Sequence, residues 1–311
     1  MAIEIYERRR RAPPMKFAAS IIVPAHNEER RIGDLLLVMS TAARELHCLV
    51  VISCNGCTDA TAALARETPD LLVAEISKAS KSQALNEGDR IAGDVFPRLY
   101  IDADVQIDLE SIRKLIEALQ ISTARAVRPM SYPIMIGAPW LVRMYLSGRE
   151  AAPQVRLWNS EHLEGHSIYG TNRNGRSKFL EFPEILADDA FFDRMFDLEE
   201  KFIVGGARVG VPAQPTFRTL FTILTRQFWA NDELNEWLKT ERPDRATQTR
   251  DQPRQFATFA QRCSYWLHEG SPFDSFNPEK VTVVVFVLAL RRAATWNARR
   301  HRRMGKRVSW R

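Results

Sequence analysis

Short apolar runs alternate with helical patterns along the first 130 residues of the chain. A short run of mostly apolar residues is typical of a buried strand, whereas apolar residues at i, i+3, i+4 and i+7 are typical of an amphipathic helix. Ile32, Leu35, Leu36 and Met39 give a clear example of the helical spacing. The pattern predicts strands over 18–24, 48–53, 70–76 and 98–104, and helices over 32–39, 58–67, 82–91 and 109–120.

The repeated order of strand and helix predicts an α/β fold. Helices that connect consecutive strands make right-handed crossovers, which produce a mostly parallel, Rossmann-like sheet with helices on both faces. Open sheets of this kind bind ligands beyond the carboxyl ends of their strands. Because polar residues follow the predicted strands at those ends, we expect the functional site there.

The pattern becomes irregular beyond about residue 130. Prolines interrupt it, and the segment GHSIYGTNRNGRSKF (165–179) is rich in residues that form turns. Further helices are predicted over 216–240, 254–268 and 278–298. We therefore expect three parts: a basic N-terminal tail (1–17), an α/β catalytic domain (18–230) and a helical C-terminal extension with a basic tail (231–311).

The positive charge lies at the two ends of the chain. The net charge is +6, and residues 291–311 alone hold eight arginines and one lysine without an acid. Such ends are either solvated tails or surfaces that attract an anionic partner. Trp296, Trp310 and the apolar run 281–290 favour a membrane surface over a nucleic acid. The run itself is too short for a membrane span, which needs about 20 residues.

Four cysteines in 311 residues do not form a disulfide framework. Cys54 and Cys57 are three positions apart, a spacing that occurs in redox pairs and in zinc sites. A zinc site would need two further ligands, and the sequence offers no second cysteine pair or nearby Cys–His pair. The charged N-terminal sequence lacks the apolar segment of a signal peptide, so we expect a cytoplasmic protein, bound at most peripherally at the inner face of the cell membrane.

Two aspartates follow the fourth predicted strand. Asp102 and Asp104, in the sequence YIDAD, flank the small residue Ala103, so both carboxylates would lie at the carboxyl end of that strand. Carboxylate oxygens suit Mg²⁺ or Mn²⁺. An Asp-x-Asp sequence is also common in polar loops, and its position after a strand of a parallel sheet is what favours a metal site.

Five segments, in this order, resemble the motifs of the inverting family 2 glycosyltransferases of bacterial type, which have the GT-A fold. They are SIIVPAHNEE (20–29), NGCTDATA (55–62), KSQALNEG (81–88), YIDAD (100–104) and ADDAFF (187–192). The resemblance covers roughly residues 18 to 230. It implies an enzyme that uses Mg²⁺ or Mn²⁺ to transfer a sugar from a nucleotide-sugar donor to a hydroxyl acceptor. It further implies a role in the synthesis of cell-surface glycans or glycolipids. The acceptor stays open between a lipid-linked saccharide, which would suit the basic and apolar C-terminus, and a soluble metabolite.

The resemblance also implies roles for individual residues. Asp102 and Asp104 would hold the metal, and Asp102 and Ala103 would contact the sugar diphosphate, with Lys81 on the phosphate side. The other substrate-binding residues it implies are Pro24, Ala25, His26, Asn27 and Glu28 on the nucleoside side, Cys54 and Asn55 in the second turn, and Arg173 and Arg176 near the donor sugar and acceptor. The residues alone allow another explanation, in which Asn27 caps the next helix, Glu28 lies in its first turn, and the three cations are solvated.

The motif ADDAFF implies the catalytic base. Asp189 occupies the position of the aspartate that takes the proton of the acceptor hydroxyl in the family, and Asp188 replaces the usual glutamate beside the substrate. Direct displacement at an anomeric carbon needs a base on the face opposite the leaving diphosphate. Taken alone, the two acids could simply favour the dipole of a helix N-terminus.

Cys54 and Asn55 stand where the family usually has acids, one of which commonly contacts uracil. The donor base therefore stays open among uracil, guanine, adenine and thymine. Two other hypotheses remain: a non-catalytic nucleotide-sugar-binding protein of the same fold, and a thiol oxidoreductase or zinc module built on Cys54 and Cys57. The presence of both the Asp-x-Asp sequence and the acidic pair argues against a non-catalytic protein.

Overall fold

The computed structural model describes residues 17–121, 125–151, 153–246 and 278–305. The helix predicted over 254–268 lies outside these residues, as does nearly all of the predicted N-terminal tail. The described residues form two compact units. The first comprises the described residues up to Tyr132 together with Leu163–Pro212, and the second comprises Pro133–His162 and the described residues from Ala213 onward.

A mixed sheet organises the first unit. Its strands stand side by side in the order β3-β2-β1-β4-β7-β6-β8-β5. Their bounds are β1 Ala19–Ala25, β2 Cys48–Asn55, β3 Leu72–Ile76, β4 Arg98–Ile101, β5 Gln106–Ile107, β6 Ala126–Ile134, β7 Ile168–Thr171 and β8 Lys201–Pro212.

The helices of both units follow in chain order. They are α1 Ile32–Glu45, α2 Thr61–Glu67, α3 Lys81–Ala92, α4 Leu109–Ile121, α5 Trp140–Ala151, α6 Pro153–Glu161, α7 Arg173–Arg176, α8 Asp188–Arg194, α9 Phe217–Glu241, α10 Pro243–Ala246 and α11 Pro278–Arg303. A 3₁₀ turn lies at Leu198–Glu200.

The parallel half of the sheet consists of β3, β2, β1 and β4, each hydrogen-bonded to its neighbour in parallel. Every residue of β1 and β2 is buried, which explains why both appear in the sequence as mostly apolar runs. Gly88 lets α3 approach β1 closely, because a Cβ atom there would lie 2.4 Å from Cγ2 of Ile22. The alternation of strands and helices predicted for the first 130 residues is confirmed.

The other half of the sheet contains antiparallel pairs. β7 pairs with β4, β6 with β7, and β5 with β8, each in antiparallel orientation. The sequence predicted none of β6, β7 and β8. The segments AVRPMSYPI and KFIVGGARVGVP mix buried with exposed residues and contain proline or glycine, so neither has the apolar run of a central strand.

The second unit consists of helices in the described residues. Its core brings together Val142 and Tyr145 of α5, Leu220 and Leu224 of α9, and buried residues of α11 that include Val287, Leu290 and Ala294. The helices predicted over 216–240 and 278–298 are confirmed as α9 and α11. Within the described part of the chain, no helix is long and apolar enough to cross a membrane.

Candidate active site

The turns that follow β1 and β2 are joined by hydrogen bonds. The amide of Thr58 donates to Oδ1 of Asn27 over 2.8 Å, and the amide of Glu28 donates to Oγ1 of Thr61 over 2.8 Å. The amide of Glu29 donates to Oδ2 of Asp59 over 3.2 Å. Because β1 and β2 are parallel neighbours, their ends meet at one edge of the sheet, and these bonds fix the two turns as a single surface.

This arrangement corrects the local interpretation of Asn27 and Glu28. Helix α1 begins at Ile32, and the side chain of Arg31 makes no capping hydrogen bond. Asn27 therefore does not cap α1, and Glu28 precedes the helix instead of lying in its first turn. Asn27 has a positive φ of 54°, and its side-chain oxygen accepts a hydrogen bond from the second turn instead.

A similar correction applies to the second turn. Helix α2 begins at Thr61, so Asp59 lies before the helix, where its Oδ1 accepts from the amide and hydroxyl of Thr61. Burial acts to raise the pKa of Asp59, but the hydrogen bonds from Thr61 and Glu29 outweigh it and lower that pKa. Gly56 has a φ of 56°, and a Cβ atom there would lie 2.7 Å from the amide nitrogen of Ala79. Only glycine fits this turn without a backbone shift.

The predicted nucleoside-side residues differ in accessibility. Pro24, Ala25, Cys54 and Asn55 are buried, and the Asn55 side chain donates to the carbonyl of Ala25 over 2.9 Å. Nδ1 of His26 donates to the carbonyl of Asn55 over 2.6 Å, while the His26 side chain remains partly exposed. A ligand at this surface can reach the side chains of His26 and Asn27, whereas Ala25, Cys54 and Asn55 are almost fully buried, backbone included.

The pKa values of the two thiols in the second turn, Cys54 and Cys57, are shifted in opposite directions. Cys48, Cys54 and Cys57 are free. Hydrogen bonding to Cys57 and burial raise the pKa of the Cys54 thiol, whereas the hydrogen bond from Cys54 lowers the pKa of Cys57 to about 6 against the effect of burial. The described residues contain no group of three or more His, Cys, Asp or Glu side chains that could hold a metal by themselves, so they provide no complete zinc site on the cysteines.

Asp102 and Asp104 lie at the carboxyl end of β4, where the sequence predicted them. Both are partly accessible, whereas Ala103 between them is buried. Nη1 of Arg31 lies 3.7 Å from Oδ2 of Asp104. The backbone amide of Asp102 donates to the carbonyl of Ser167 over 2.9 Å, which fixes the direction of the chain after the strand.

Lys81 connects the two acidic motifs. It is the first residue of α3, and its Nζ lies 2.7 Å from Oδ1 of Asp102 and 2.9 Å from Oδ2 of Asp188. Burial acts to lower the pKa of Lys81, but the charges of Asp102, Asp188 and Asp189 outweigh it and raise that pKa. Lys81 therefore stays charged and holds the Asp-x-Asp sequence and the start of α8 together.

Asp188 is the buried member of the acidic pair. Its Oδ2 also accepts a hydrogen bond from the hydroxyl of Tyr169 over 2.8 Å. Burial raises the pKa of Asp188 to about 6, with the charge of Lys81 acting in the opposite direction. In this structure its partners are protein side chains, and its role as a substrate contact stays a prediction.

Asp189 is partly accessible, and backbone amides hold its carboxylate. The amide of Gly165 donates to its Oδ2 over 2.6 Å, and the amide of Ala190 donates to its Oδ1 over 2.8 Å. These bonds leave further acceptor positions on both oxygens, since a carboxylate can accept about four hydrogen bonds. The placement of both acids at the start of a helix, predicted from the sequence, is confirmed.

Arg173 and Arg176 have partners at the other end of β4. Nη1 of Arg173 lies 2.7 Å from Oδ1 of Asp94, and Nη2 of Arg176 lies 2.8 Å from Oδ2 of Asp89. Asp89 in turn pairs with Arg98, the first residue of β4, whereas Asp102 follows the last. These contacts are structural, and a role for either arginine in binding donor or acceptor stays a prediction.

Sequence reasoning missed Arg31, Tyr169 and Gly165. Each acts on an acid that is distant in sequence, and an arginine in a turn, a tyrosine in a strand or a glycine in a polar segment carries no local signal of such a partner. Gly165 has a φ of 79°, which favours glycine at the position that donates to Asp189.

Comparison with protein-family models matches residues 20–182 to the family described as Glycosyl transferase family 2. The match covers more than half of the chain. The mixed sheet with its parallel half and surrounding helices has the GT-A fold of glycosyltransferases. The chain belongs to glycosyl transferase family 2.

Solved structures share this fold at low sequence identity. The mannosyltransferase PcManGT from Pyrobaculum calidifontis, in complex with GDP-Man and Mn²⁺, is 14% identical, with a TM-score of 0.52 over 96% of this chain and 81% of that one. Glucosyl-3-phosphoglycerate synthase from Mycobacterium tuberculosis, in complex with Mn²⁺, UDP and phosphoglyceric acid, is 16% identical, with a TM-score of 0.51 over 77% of this chain and 82% of that one. No curated protein matches the chain significantly.

Proposed function

We propose that the protein transfers a sugar, with inversion at the anomeric carbon, from a nucleotide-sugar donor to a hydroxyl acceptor. The observation that carries this proposal is the arrangement of three partly accessible carboxylates, those of Asp102, Asp104 and Asp189, around the Lys81–Asp188 ion pair. Carboxylates concentrated at an open edge of a parallel sheet are typical of a catalytic site. Membership of glycosyl transferase family 2 supports the same reaction class.

Asp102 and Asp104 fit a divalent cation that arrives with the donor. Both offer hard oxygen atoms, and the described residues contain no complete set of protein ligands. Mg²⁺ commonly binds to one or two carboxylates and takes its remaining ligands from substrate phosphates and water. Both solved structures described above are complexes with Mn²⁺. When bound, Mg²⁺ or Mn²⁺ would neutralise the negative charge of the leaving diphosphate.

Asp189 is the proposed catalytic base. Its carboxylate would accept the proton of the acceptor hydroxyl on Oδ1 or Oδ2, so that the hydroxyl oxygen can attack the anomeric carbon. The amides of Gly165 and Ala190 orient the carboxylate before the acceptor arrives. A base held on the side opposite the leaving diphosphate gives inversion by direct displacement.

Lys81 is proposed to position the two halves of the site. Its ammonium group holds Asp102, on the donor side, and Asp188, which is the residue next to the base. The hydroxyl of Tyr169 fixes Asp188 from another direction. Because these side chains are largely buried, the distance between donor side and base is set before substrates bind.

The nucleoside is proposed to lie on the turns after β1 and β2. His26 and Asn27 present accessible side chains there, and the buried residues Pro24, Ala25, Cys54 and Asn55 would fix the position of these turns from beneath. Glu28 is buried at the base of the same turn. The acceptor is proposed to be a lipid-linked saccharide used for a cell-surface glycan or glycolipid at the inner face of the membrane.

Donor turnover with Mn²⁺ or Mg²⁺ tests the site. Donors are first selected from a panel of nucleotide sugars by the metal-dependent rise in unfolding temperature that binding produces. We expect Asp104→Asn and Asp189→Asn to lower turnover about 10²–10⁴-fold, the usual contribution of a general base and of comparable electrostatic groups. Asp34→Asn, an exposed aspartate of α1, is the matched control. Full activity of both site variants would contradict the assignment.

The stereochemistry of the product tests the mechanism separately. We expect the new glycosidic bond to have the anomeric configuration opposite to that of the donor, as measured by nuclear magnetic resonance of the first product formed. A product with the donor's configuration would exclude direct displacement with Asp189 as base, while leaving sugar transfer itself established.

A further inference from the structure

One face of α11 is used for packing inside the second unit. Val287, Leu290, Ala294 and Ala298 are buried, and they recur at i, i+3, i+7 and i+11, which places them on one side of the helix. Asn297, beside them, donates to Oγ1 of Thr225 in α9 over 3.4 Å. This face therefore fixes which side of α11 is exposed.

The opposite face carries a continuous row of basic and apolar residues. Arg292, Trp296, Arg299, Arg300 and Arg303 are exposed and recur at i, i+4, i+7, i+8 and i+11. Trp296 is 62% exposed, and the guanidinium of Arg300 lies 5.5 Å from the centre of its ring. We call these five residues the basic stripe.

Apolar side chains extend the basic stripe at both ends. Leu288, four positions before Arg292, is partly exposed, and Met304, directly after Arg303, is exposed. No aspartate or glutamate occurs anywhere in 286–305, the part of α11 and its end whose side chains are described. The basic stripe therefore has one sign of charge over about three turns of helix.

Two acids of the neighbouring helix meet another arginine. Glu236 of α9 contacts Arg302, and Asp232 lies 4.0 Å from Arg302. Arg302 is only partly exposed and also lies over the ring of Trp229, so it belongs to the packed side of the helix. Asp232 and Glu236 thus pair with Arg302, which is not part of the basic stripe.

We propose that the basic stripe of α11 binds the anionic headgroup surface of a lipid membrane, with the helix lying parallel to that surface. Arginines would contact lipid phosphates, and Trp296, Leu288 and Met304 would enter the region between headgroups and acyl chains, where tryptophan is favoured. A nucleic acid would also attract the arginines, but it gives no reason for accessible leucine and methionine side chains beside the same row. The mixture of apolar and basic side chains favours the membrane.

This inference does not depend on the proposed function. A membrane-bound chain without transferase activity, or a transferase that ignores membranes, is equally measurable. If both proposals hold, the basic stripe would place the enzyme at the surface that carries a lipid-linked acceptor.

The test is co-sedimentation of the full chain with lipid vesicles. We expect binding to vesicles of phosphatidylcholine mixed with phosphatidylglycerol, weak or no binding to phosphatidylcholine alone, and weaker binding as salt is raised. Neutralising three stripe residues together, Arg299→Gln, Arg300→Gln and Arg303→Gln, should weaken binding about 100-fold, since each charge near an anionic surface contributes about 5-fold. Trp296→Ala should weaken it about tenfold.

The control removes the same charge from other exposed sites. Arg44→Gln, Arg113→Gln and Lys239→Gln are combined in one protein, which should bind vesicles like the unaltered chain. Circular dichroism confirms that both triple variants are folded. Equal loss in the two triple variants, failure of the unaltered chain to bind anionic vesicles, or binding of the basic stripe to duplex DNA or RNA without vesicle binding would each overturn the proposal.

Discussion

The two ends of β4 each carry a group of charged side chains centred on aspartate and closed on one side by a tyrosine. At the carboxyl end, Asp188 binds Lys81 and accepts a hydrogen bond from Tyr169. At the amino end, Asp89 binds Arg98 and accepts a hydrogen bond of 2.8 Å from Tyr100. We call them the carboxyl-end cluster and the amino-end cluster.

The clusters differ in the balance of their charges and in the accessibility of their carboxylates. In the amino-end cluster, Asp89 accepts from Arg98, Arg176 and Tyr100, and the two arginines direct further donors to Ser20 and to backbone carbonyls. In the carboxyl-end cluster, Lys81 forms ion pairs with both Asp102 and Asp188. The carboxylates of Asp102, Asp104 and Asp189 remain partly accessible.

The difference indicates that the amino-end cluster supports the stability of the fold and that the carboxyl-end cluster supports its function. In a closed cluster, removal of one partner leaves a buried charge unpaired and destabilises the fold, and no charged group is accessible to a ligand. A cluster with excess carboxylate at an accessible edge favours the binding of cations and the transfer of protons. Mutations at the amino end of β4 should therefore lower the stability of the fold, whereas mutations at its carboxyl end should lower turnover.

The largest effect is expected on stability, at the amino end. Asp89→Asn would leave two arginines, of which Arg98 is almost fully buried, without their carboxylate, and we expect a loss of about 3–5 kcal/mol in the free energy of unfolding. Urea denaturation followed by circular dichroism measures this loss. Asp94→Asn removes an exposed ion pair with Arg173 and should change stability by less than about 1 kcal/mol. Equal losses in the free energy of unfolding from the two substitutions would show that the amino-end cluster contributes no more to stability than an exposed ion pair.

The next effect is expected on activity, at the carboxyl end. Lys81→Met should lower turnover about 100-fold, or about 2.7 kcal/mol in the activation barrier, because Asp102 and Asp188 lose their common partner. Lys81→Arg, which keeps the charge, should recover part of kcat. The control Lys78→Met removes an exposed lysine that pairs with Glu184 and should leave turnover unchanged. Unchanged kcat and KM in Lys81→Met would remove Lys81 from the site.

A matched pair of tyrosine substitutions sharpens the comparison further. Tyr100→Phe and Tyr169→Phe each remove one hydrogen bond to a buried aspartate and should each cost about 2 kcal/mol of stability. Only Tyr169→Phe should also change turnover, by about tenfold, since only its aspartate adjoins the proposed base, Asp189. Stability is measured by denaturation and turnover at a temperature where both variants are folded. A larger loss of turnover in Tyr100→Phe would reverse the assignment of the two clusters.

The smallest effect concerns thiols, where closed and open surroundings also differ. Burial raises the pKa of Cys48 to about 12, while the hydrogen bond from Cys54 lowers the pKa of Cys57 to about 6. Cys57 should react with iodoacetamide with a rate that rises through about pH 6, and Cys48 should not react at neutral pH. Because the pKa of Cys57 is lowered on folding, the stability it contributes is present above the pKa of the unfolded thiol and is lost as pH falls through about 6.

Peptide mass mapping after alkylation identifies the modified cysteine. Cys57→Ser should abolish the reaction whose rate rises near pH 6. A rate that instead rises near pH 8.5, the ordinary pKa of a thiol, would contradict the lowering of the Cys57 pKa by the hydrogen bond from Cys54.

The parallel half of the fold was predictable because β1, β2 and β4 are buried along their whole length and the helices repeat apolar residues on one side. The carboxyl-end acids were predictable for a related reason, since parallel strands end at one edge. Antiparallel β6 and β8 were not predictable, because their residues alternate irregularly between buried and exposed positions.

The errors within the site have one physical cause. The sequence predicted Asn27 as a helix cap and a helix over 58–67 that would include Asp59. In the structure, Asn27 instead accepts from the second turn, and Asp59 precedes α2 and accepts from Glu29 and Thr61. The missed residues Arg31, Tyr169 and Gly165 likewise take partners distant along the chain. Such pairings depend on which strands become neighbours, and that information is absent from any single segment.

We propose that the carboxyl end of β4 holds the donor together with a divalent cation. Isothermal titration of a selected nucleotide sugar into the unaltered chain, Asp104→Asn and Asp94→Asn, each with and without Mn²⁺, tests it most directly. We expect Mn²⁺-dependent donor binding by the unaltered chain and by Asp94→Asn, and loss of that dependence in Asp104→Asn. Donor binding that is equally tight in Asp104→Asn, or equally tight without Mn²⁺, would contradict the claim.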